Sequence, residues 1–97
     1  MSGAIRKGDM DSGHGPWPPR ACIEGSPDVF VNDLPAHRVG DAWGSHTETV
    51  KPYETHSSVA ASGSSTVFVN DKPKCRTGDK VACGSVMVGG SSDVIVG

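Results

Sequence analysis

The sequence predicts an all-β protein: a small, cone-shaped fold with pseudo-three-fold symmetry, built from short strands and turns, with a metal site at its apex. Three observations support this prediction. Residues 25–41 and 63–79 carry nearly the same phrase, and 13 Gly and 7 Pro among 97 residues make turns frequent. No stretch has an apolar period of 3.6 residues long enough for an ordinary helix.

The repeated phrase reads GSPDVFVNDLPAHRVGD at residues 25–41 and GSSTVFVNDKPKCRTGD at residues 63–79, with 11 of 17 positions identical (G, S, V, F, V, N, D, P, R, G and D). Residues 6–9 (RKGD) repeat its closing R-x-G-D, and residues 90–97 (GSSDVIVG) repeat its opening. Internal repeats of this kind bury their apolar sides against one another. We therefore expect the two half-units to lie together as a third copy, in a single domain spanning residues 1–97 without an extension domain.

Each unit is interpreted as a short β-strand followed by turns. V-F-V favours a strand, N-D with x-P is typical of a turn, and R-x-G-D ends in a Gly-Asp turn. Because side chains alternate along a strand, the residue between the two valines should point away from them. These central residues are Phe30, Phe68 and Ile95. One apolar face can fill a small core, and either loops or another protein must cover the second face.

Composition restricts the function classes. The formal net charge is −2 with dispersed Lys and Arg, which argues against a nucleic-acid partner. No apolar run reaches the length of a signal peptide or a membrane span, so we expect synthesis in the cytoplasm without a signal peptide. Only 35% of residues are hydrophobic, so the core should be thin, and a metal or a partner chain would help to stabilise it.

One potential metal ligand follows each R-x-G-D closing by four or five residues. These three ligands are His14, His46 and Cys83. Three-fold folding would bring them together at one end of the axis, and His56, in the same long inter-repeat segment as His46, can supply a fourth. Imidazole and thiolate ligands suit zinc, and four protein ligands leave no open position for a catalytic water. The pattern predicts one structural zinc ion.

The remaining His and Cys residues are predicted to have other roles. His37 occupies the position of Cys75 inside the repeated phrase, so it belongs to the strand-turn unit and not to the apex. Neither Cys22 nor Cys75 has a partner cysteine at a matching repeat position. An odd Cys count and a reducing compartment of synthesis favour free thiols over a disulfide.

Two tetrapeptides carry a resemblance to a known family. P-A-H-R at residues 35–38 and P-K-C-R at residues 73–76, each preceded by VFVND and followed by x-G-D, resemble the PAAR repeat, named for Pro-Ala-Ala-Arg. RKGDMDSGHGPWPPR near the N-terminus and the final GSSDVIVG are similar to the first and last segments of this family. The chain departs from the motif at His37, which replaces an Ala, and at residues 74–75, where Lys-Cys replaces Ala-Ala.

The resemblance implies a cone that caps the trimeric β-helical spike of a contractile injection machine, either a type VI secretion system with a VgrG-like spike or a phage-like tail. One copy would sit on each spike trimer, sharpen it and pierce the target membrane, with a separately encoded effector as a possible further partner. The family's zinc is held by three His and one Cys, which correspond to His14, His46, His56 and Cys83. Because side chains alternate along a strand, the residues suggested to contact the spike are the central ones of the V-x-V segments, Phe30, Phe68 and Ile95.

Three other functions find less support in the sequence. A zinc hydrolase could use Glu48 or Glu54 as general base, although no H-E-x-x-H motif is present. An adaptor for a toxin would have to bind its cargo as a separate protein. A carbohydrate- or peptide-binding module would need a concave aromatic site, for which Trp17, Trp43 and Tyr53 offer little.

Overall fold

The computed structural model describes residues 2–97, and all of the regular secondary structure in this part of the chain is β. The eight short strands are β1 (Ser2–Gly3), β2 (Phe30–Val31), β3 (Leu34–Pro35), β4 (Ala42–Thr47), β5 (Thr55–Val59), β6 (Phe68–Val69), β7 (Lys72–Pro73) and β8 (Ile95–Val96). Isolated bridges connect the segments between them. No stretch of residues 2–97 forms a helix long and apolar enough to span a bilayer. The all-β prediction is confirmed.

The strands form four two-stranded antiparallel ladders, three of which are equivalent. β2 pairs with β3 and β6 pairs with β7 within the two complete repeats, while β1 pairs with β8, so that Ser2 lies opposite Val96. The first and last described strands thus form the third ladder. The fourth ladder, β4 with β5, is the longest hairpin of a body that measures 40 × 24 × 22 Å.

The N-D pairs of the repeats make tight hairpin turns, as the sequence predicts. Asn32 and Asp33 connect β2 to β3 with φ angles of 52° and 66°, and Asn70 and Asp71 connect β6 to β7 with φ angles of 53° and 66°. Positive φ at both turn positions is the signature of a type I′ turn, whose twist matches that of the flanking strands. Asn and Asp tolerate this left-handed conformation better than most residues.

The predicted V-F-V strands are one residue shorter at their N-terminal ends than expected. In the first repeat the Ser26 hydroxyl accepts hydrogen bonds from the amides of Asp28 (3.2 Å) and Val29 (2.9 Å). The Val29 amide is used by this local turn, so the strand begins at Phe30, although the Val29 carbonyl accepts a hydrogen bond from Ala36 N over 3.0 Å. Ser64 and Ser91 make the same turn before Val67 and Val94. The leading valines, predicted to share a face with the second valines, are each 38% exposed, whereas the second valines are buried.

Each R-x-G-D segment closes a β-turn with an ion pair. In the second of these turns, residues 38–41, Asp41 accepts hydrogen bonds from Arg38 Nε (2.8 Å), Nη2 (2.9 Å) and the backbone amide (2.9 Å). Gly40 has a φ of 90°, which favours glycine, and Asp41 N donates to the Arg38 carbonyl over 3.0 Å. Residues 6–9 and 76–79 repeat the arrangement. The two-pronged geometry makes this pair stronger and more directional than a typical surface salt bridge.

The core consists of two small apolar clusters. The first cluster includes the last valine of each of the three V-x-V segments. Its members are Ala4, Val31, Ala36, Val69 and Val96. The second contains Ile5, Cys22, Trp43, Ala60, Cys75, Val81 and Met87. The clusters are adjacent, because Ala4 and Ile5 are consecutive. On the opposite face of the strands, Phe30, Phe68 and Ile95 are 56%, 55% and 47% exposed, so loops do not cover this second apolar face.

Cys22 and Cys75 are free, buried thiols of the second cluster, in agreement with the prediction. The Cys22 thiol donates to the Arg6 carbonyl over 3.0 Å. Burial raises the pKa of Cys22 to about 11 and that of Cys75 to about 12. Both therefore stay protonated and unreactive at neutral pH.

Candidate metal centre

A β-bulge in β4 aims His46 toward the interior. Trp43 lies opposite Ser58, whereas His46 lies opposite His56, so β4 has one more residue than β5 between these two pairs. Side chains three positions apart in a regular strand would point to opposite faces, and the extra residue reverses this parity. Trp43 and His46 are consequently both buried on the same side. The antiparallel register places His46 directly across from His56.

His14 comes from a tight turn near the start of the chain. Its backbone pairs with Trp17 through two hydrogen bonds, His14 N to Trp17 O (2.9 Å) and Trp17 N to His14 O (2.8 Å). Gly15 has a φ of 52° between them, in the left-handed region that glycine tolerates best. The turn holds the Trp17 ring against the histidines, with its centroid 3.9 Å from that of His56. Trp17 therefore covers one side of the site.

Cys83 lies in the loop after the third R-x-G-D turn and packs against the second apolar cluster. Its sulfur lies 2.8 Å from Arg20 Nη2, which donates to it. The same guanidinium donates to the Gly44 carbonyl (2.9 Å) in the bulge and to the Asp11 carboxylate (3.1 Å). The side chains of Arg20 and Asp11 are 4% and 0% exposed. This buried pair connects the three segments that carry His14, His46 and Cys83.

The ligand atoms of the four predicted residues converge. One atom from each of His14, His46, His56 and Cys83 lies within 4.8 Å of the others, so the group could hold a metal ion. Nε2 of His56 is 3.3 Å from Nε2 of His14 and 2.6 Å from Nε2 of His46. Tetrahedral ligands at zinc–nitrogen and zinc–sulfur distances lie roughly 3.3–3.6 Å apart. The His14–His56 pair has this spacing, whereas the His46–His56 pair is closer together than two ligands of a tetrahedral zinc.

The protonation pattern of the group also fits a cation. Nδ1 of His46 lies 2.8 Å from the Pro18 carbonyl, so this nitrogen carries the proton and Nε2 presents a lone pair. Burial lowers the pKa of His14 and of His56, and the neighbouring His46 side chain lowers both further. Unprotonated imidazoles are the form that binds a metal.

The Cys83 thiol is shifted toward its anionic form. Burial by itself raises its pKa, but hydrogen bonds from Ser85 and the neighbouring Arg20 outweigh burial, and the pKa lies below the ordinary value of a thiol. Thiolate is the form of Cys that binds a metal. The donor set is thus prepared to lose few protons when an ion binds.

Sequence reasoning overlooked Arg20 and Trp17 as parts of the site. Both lie in the segment PWPPR at residues 16–20, outside the repeats, so superposition of the repeats gave them no counterpart. An Arg and a Trp in a proline-rich loop beside His14 were a weak signal at most, since neither residue type ligates zinc.

The other candidate residues do not belong to the converging group. His37 is fully buried in the core, where its Nδ1 is 2.7 Å from the Glu24 carbonyl, and it does not belong to the converging group. Glu48 and Glu54, the bases of the hydrolase hypothesis, are paired across the end of the β4–β5 hairpin, where Glu54 N donates to Glu48 Oε1 over 3.1 Å.

The fold and the site together define a class: a small, three-fold β-module with a candidate His3Cys metal centre. The sequence model of the PAAR motif family matches residues 12–89, and the chain belongs to this family. None of the curated proteins matches the chain in sequence. PAAR proteins have a structural role at the spike tip of contractile injection machines.

Arg20 should affect the metal centre although it is not a ligand. We expect Arg20→Met to weaken metal binding by roughly 10–100-fold, because the residues that orient metal ligands typically have effects of this size. Competition with a chromophoric chelator measures the affinity. Arg6→Met is the matched control, because Arg6 forms its ion pair with Asp9 in the first R-x-G-D turn. Equal affinities for the two variants would contradict this role of Arg20.

Proposed function

We propose that this chain is the membrane-piercing tip that caps and sharpens the trimeric β-helical spike of a contractile injection machine. Residues 1–97 act as one PAAR domain with a structural, non-catalytic role. The observation that carries the proposal is the repetition of one exposed apolar side chain at equivalent positions of three ladders, in a chain that belongs to the PAAR family.

The docking face consists of Phe30, Phe68 and Ile95, which share nearly equal exposure on β2, β6 and β8. Exposed apolar groups of this size are typical of protein interaction sites. A pseudo-three-fold monomer presents three similar contacts to a true trimer, so one chain can satisfy all three spike subunits. Covering the spike end also protects strand edges that would otherwise pair with other chains.

The metal centre would hold one structural zinc ion through His14, His46, His56 and Cys83. Three imidazoles and one thiolate suit zinc, and four protein ligands complete its tetrahedral coordination. When bound, the ion contributes its binding free energy to folding. It would also cross-link three loops that come from distant parts of the chain, which makes the apex stiff. A closed coordination sphere leaves no place for the water that a zinc hydrolase requires.

The chain would be made in the cytoplasm, assembled on the spike, and delivered outside the cell or into a target. An effector carried with it would be a separate chain bound to the tip. This adaptor role is compatible with the docking face being occupied by the spike, because the sides of the cone stay accessible.

The proposal is tested by reconstituting the tip with the purified spike trimer of its own machine. We expect the two proteins to co-elute in size-exclusion chromatography, and native mass spectrometry of the complex to show one copy of this chain per three spike subunits. The control is the same spike trimer with its tip-proximal end truncated. Separate elution with the intact trimer, or a ratio of three to three, would contradict the proposed capping mode.

A further inference from the structure

A closed ring of backbone hydrogen bonds surrounds the pseudo-three-fold axis. Its members are the residues that precede the Arg of each R-x-G-D turn, namely Ile5, His37 and Cys75. Ile5 N donates to the Cys75 carbonyl, His37 N to the Ile5 carbonyl, and Cys75 N to the His37 carbonyl, each over 3.1 Å. A carbonyl oxygen has two lone pairs, so each oxygen of the ring can accept one more hydrogen bond.

The Lys74 ammonium donates to all three carbonyls of this ring. Nζ lies 2.7 Å from the oxygen of Ile5, 3.2 Å from that of His37 and 2.9 Å from that of Cys75. Lys74 is only 3% exposed. Because an ammonium has three N–H groups, each of them finds one acceptor and none is left unpaired.

Only one of the three repeats supplies this lysine. Ala4 and Ala36 occupy the equivalent positions, as the bridges of Ala4 with Arg76, Ala36 with Arg6 and Lys74 with Arg38 show. Both alanines are fully buried. Their small side chains leave room near the axis for one long side chain. A second lysine would bring a like charge to a ring with no acceptor left for it.

We propose that the carbonyl ring is a binding site for one primary ammonium group, and that Lys74 fills it as an internal ligand that fastens the three repeats together. Among cationic side chains only lysine offers three N–H groups around one axis, whereas the guanidinium of arginine is a planar fork. The ligand class is therefore R–NH3+. This inference is independent of the proposed docking to a spike and of the metal centre.

The buried amine stays charged at neutral pH. Burial lowers the pKa of Lys74 to about 8, which still leaves most molecules in the ammonium form at pH 7. Burial of a charge is unfavourable unless hydrogen bonds compensate for it, and the three carbonyl dipoles provide them.

Chemical rescue tests the site directly. Lys74→Ala removes a group that corresponds to the propylammonium ion. We expect the variant to have a Tm lower by at least about 8 °C, because it loses three hydrogen bonds to a charged group and leaves a cavity. Propylammonium chloride at about 50 mM should restore at least half of this loss and leave the wild-type Tm unchanged, since a ligand that binds only the folded state stabilises it.

Two sets of controls make the rescue specific. Propanol and tetramethylammonium at the same concentration and ionic strength should not rescue Lys74→Ala, because neither offers three N–H donors. Lys72→Ala, which removes an exposed lysine of the same repeat, should lose little stability and respond to none of these compounds. Equal rescue by propylammonium and tetramethylammonium would overturn the proposal.

The wild-type protein provides a second test that does not depend on the folding of a variant. The chain has five lysines, Lys7, Lys51, Lys72, Lys74 and Lys80. In 15N-labelled protein near neutral pH we expect one ammonium resonance to persist, assigned to Lys74, because its protons are bonded and shielded from water. Exchange of the Lys74 ammonium protons as fast as those of Lys72 would show that the ring does not hold the group.

Discussion

Cys83→Ala should abolish metal binding at the proposed zinc centre and strongly destabilise the protein. The substitution deletes one of four converging ligand atoms, so zinc content should fall from one ion per chain to nearly none. In a domain with two small apolar clusters, the lost binding free energy is a large part of total stability. A loss of about 3 kcal/mol corresponds to a fall in Tm of roughly 12–24 °C for a chain of this size. Elemental analysis and thermal unfolding measure the two effects.

Matched controls separate loss of the ion from loss of packing. Cys22→Ala removes a buried thiol outside the converging group, and His37→Asn replaces a buried imidazole with a group that can still donate to the Glu24 carbonyl. Both should keep one metal ion per folded chain. Wild-type protein treated with a strong chelator should unfold at the same temperature as Cys83→Ala. Loss of metal from His37→Asn as complete as that from Cys83→Ala would show that the ligand assignment is wrong.

Replacing both aromatic residues of the proposed docking face should greatly weaken binding to the spike. Phe30→Ser combined with Phe68→Ser removes two of the three large apolar side chains, and we expect the affinity for the spike trimer to fall by about 100-fold or more. Truncation of an aromatic residue at the centre of an interface commonly costs about 2 kcal/mol or more. Isothermal titration calorimetry with the purified trimer measures the change.

The monomer itself should tolerate this double substitution. Phe30 and Phe68 are more than half exposed, so the Tm should change little. Tyr53→Ser is the control for loss of an exposed aromatic ring, because Tyr53 is 54% exposed in the turn between β4 and β5, outside the docking face. An affinity for the trimer that is unchanged in the double variant but reduced in Tyr53→Ser would place the interface at the turn between β4 and β5 instead.

Much of the fold could be predicted because the same strand and turn pattern occurs in two complete repeats and in the two half-units at the ends of the chain. Asn-Asp pairs in type I′ turns and R-x-G-D turns closed by an ion pair depend on residues adjacent in sequence, and local chemistry of this kind can be recognised in one chain. The strand ends were less predictable. Whether Val29 joins β2 depends on which hydrogen bonds the Ser26 hydroxyl accepts, and the V-F-V pattern carries no sign of that choice.

The grouping of His14, His46 and Cys83 follows from their spacing after equivalent turns, and this spacing is visible without a structure. The orientation of their side chains cannot be predicted from this spacing. His46 faces His56 only because a bulge between Trp43 and His46 reverses the strand parity, and no repeat carries a second copy of that bulge. Arg20 reaches the Cys83 sulfur across 63 residues of chain. Contacts of this range are made by unlike residues from unlike segments, so superposition of repeats cannot reveal them.

The sequence by itself determined the β-class, the three-fold repetition, the candidate ligands and the family, because each of these depends on motifs that recur along the chain at a regular spacing. Only the tertiary structure decided how the symmetry is broken: by Trp17 and Arg20 around the candidate metal centre, and by Lys74 on the axis. A repeat predicts what its copies have in common. Lys74 differs from its counterparts Ala4 and Ala36, and its role depends on three carbonyls that meet only when the chain has folded around them.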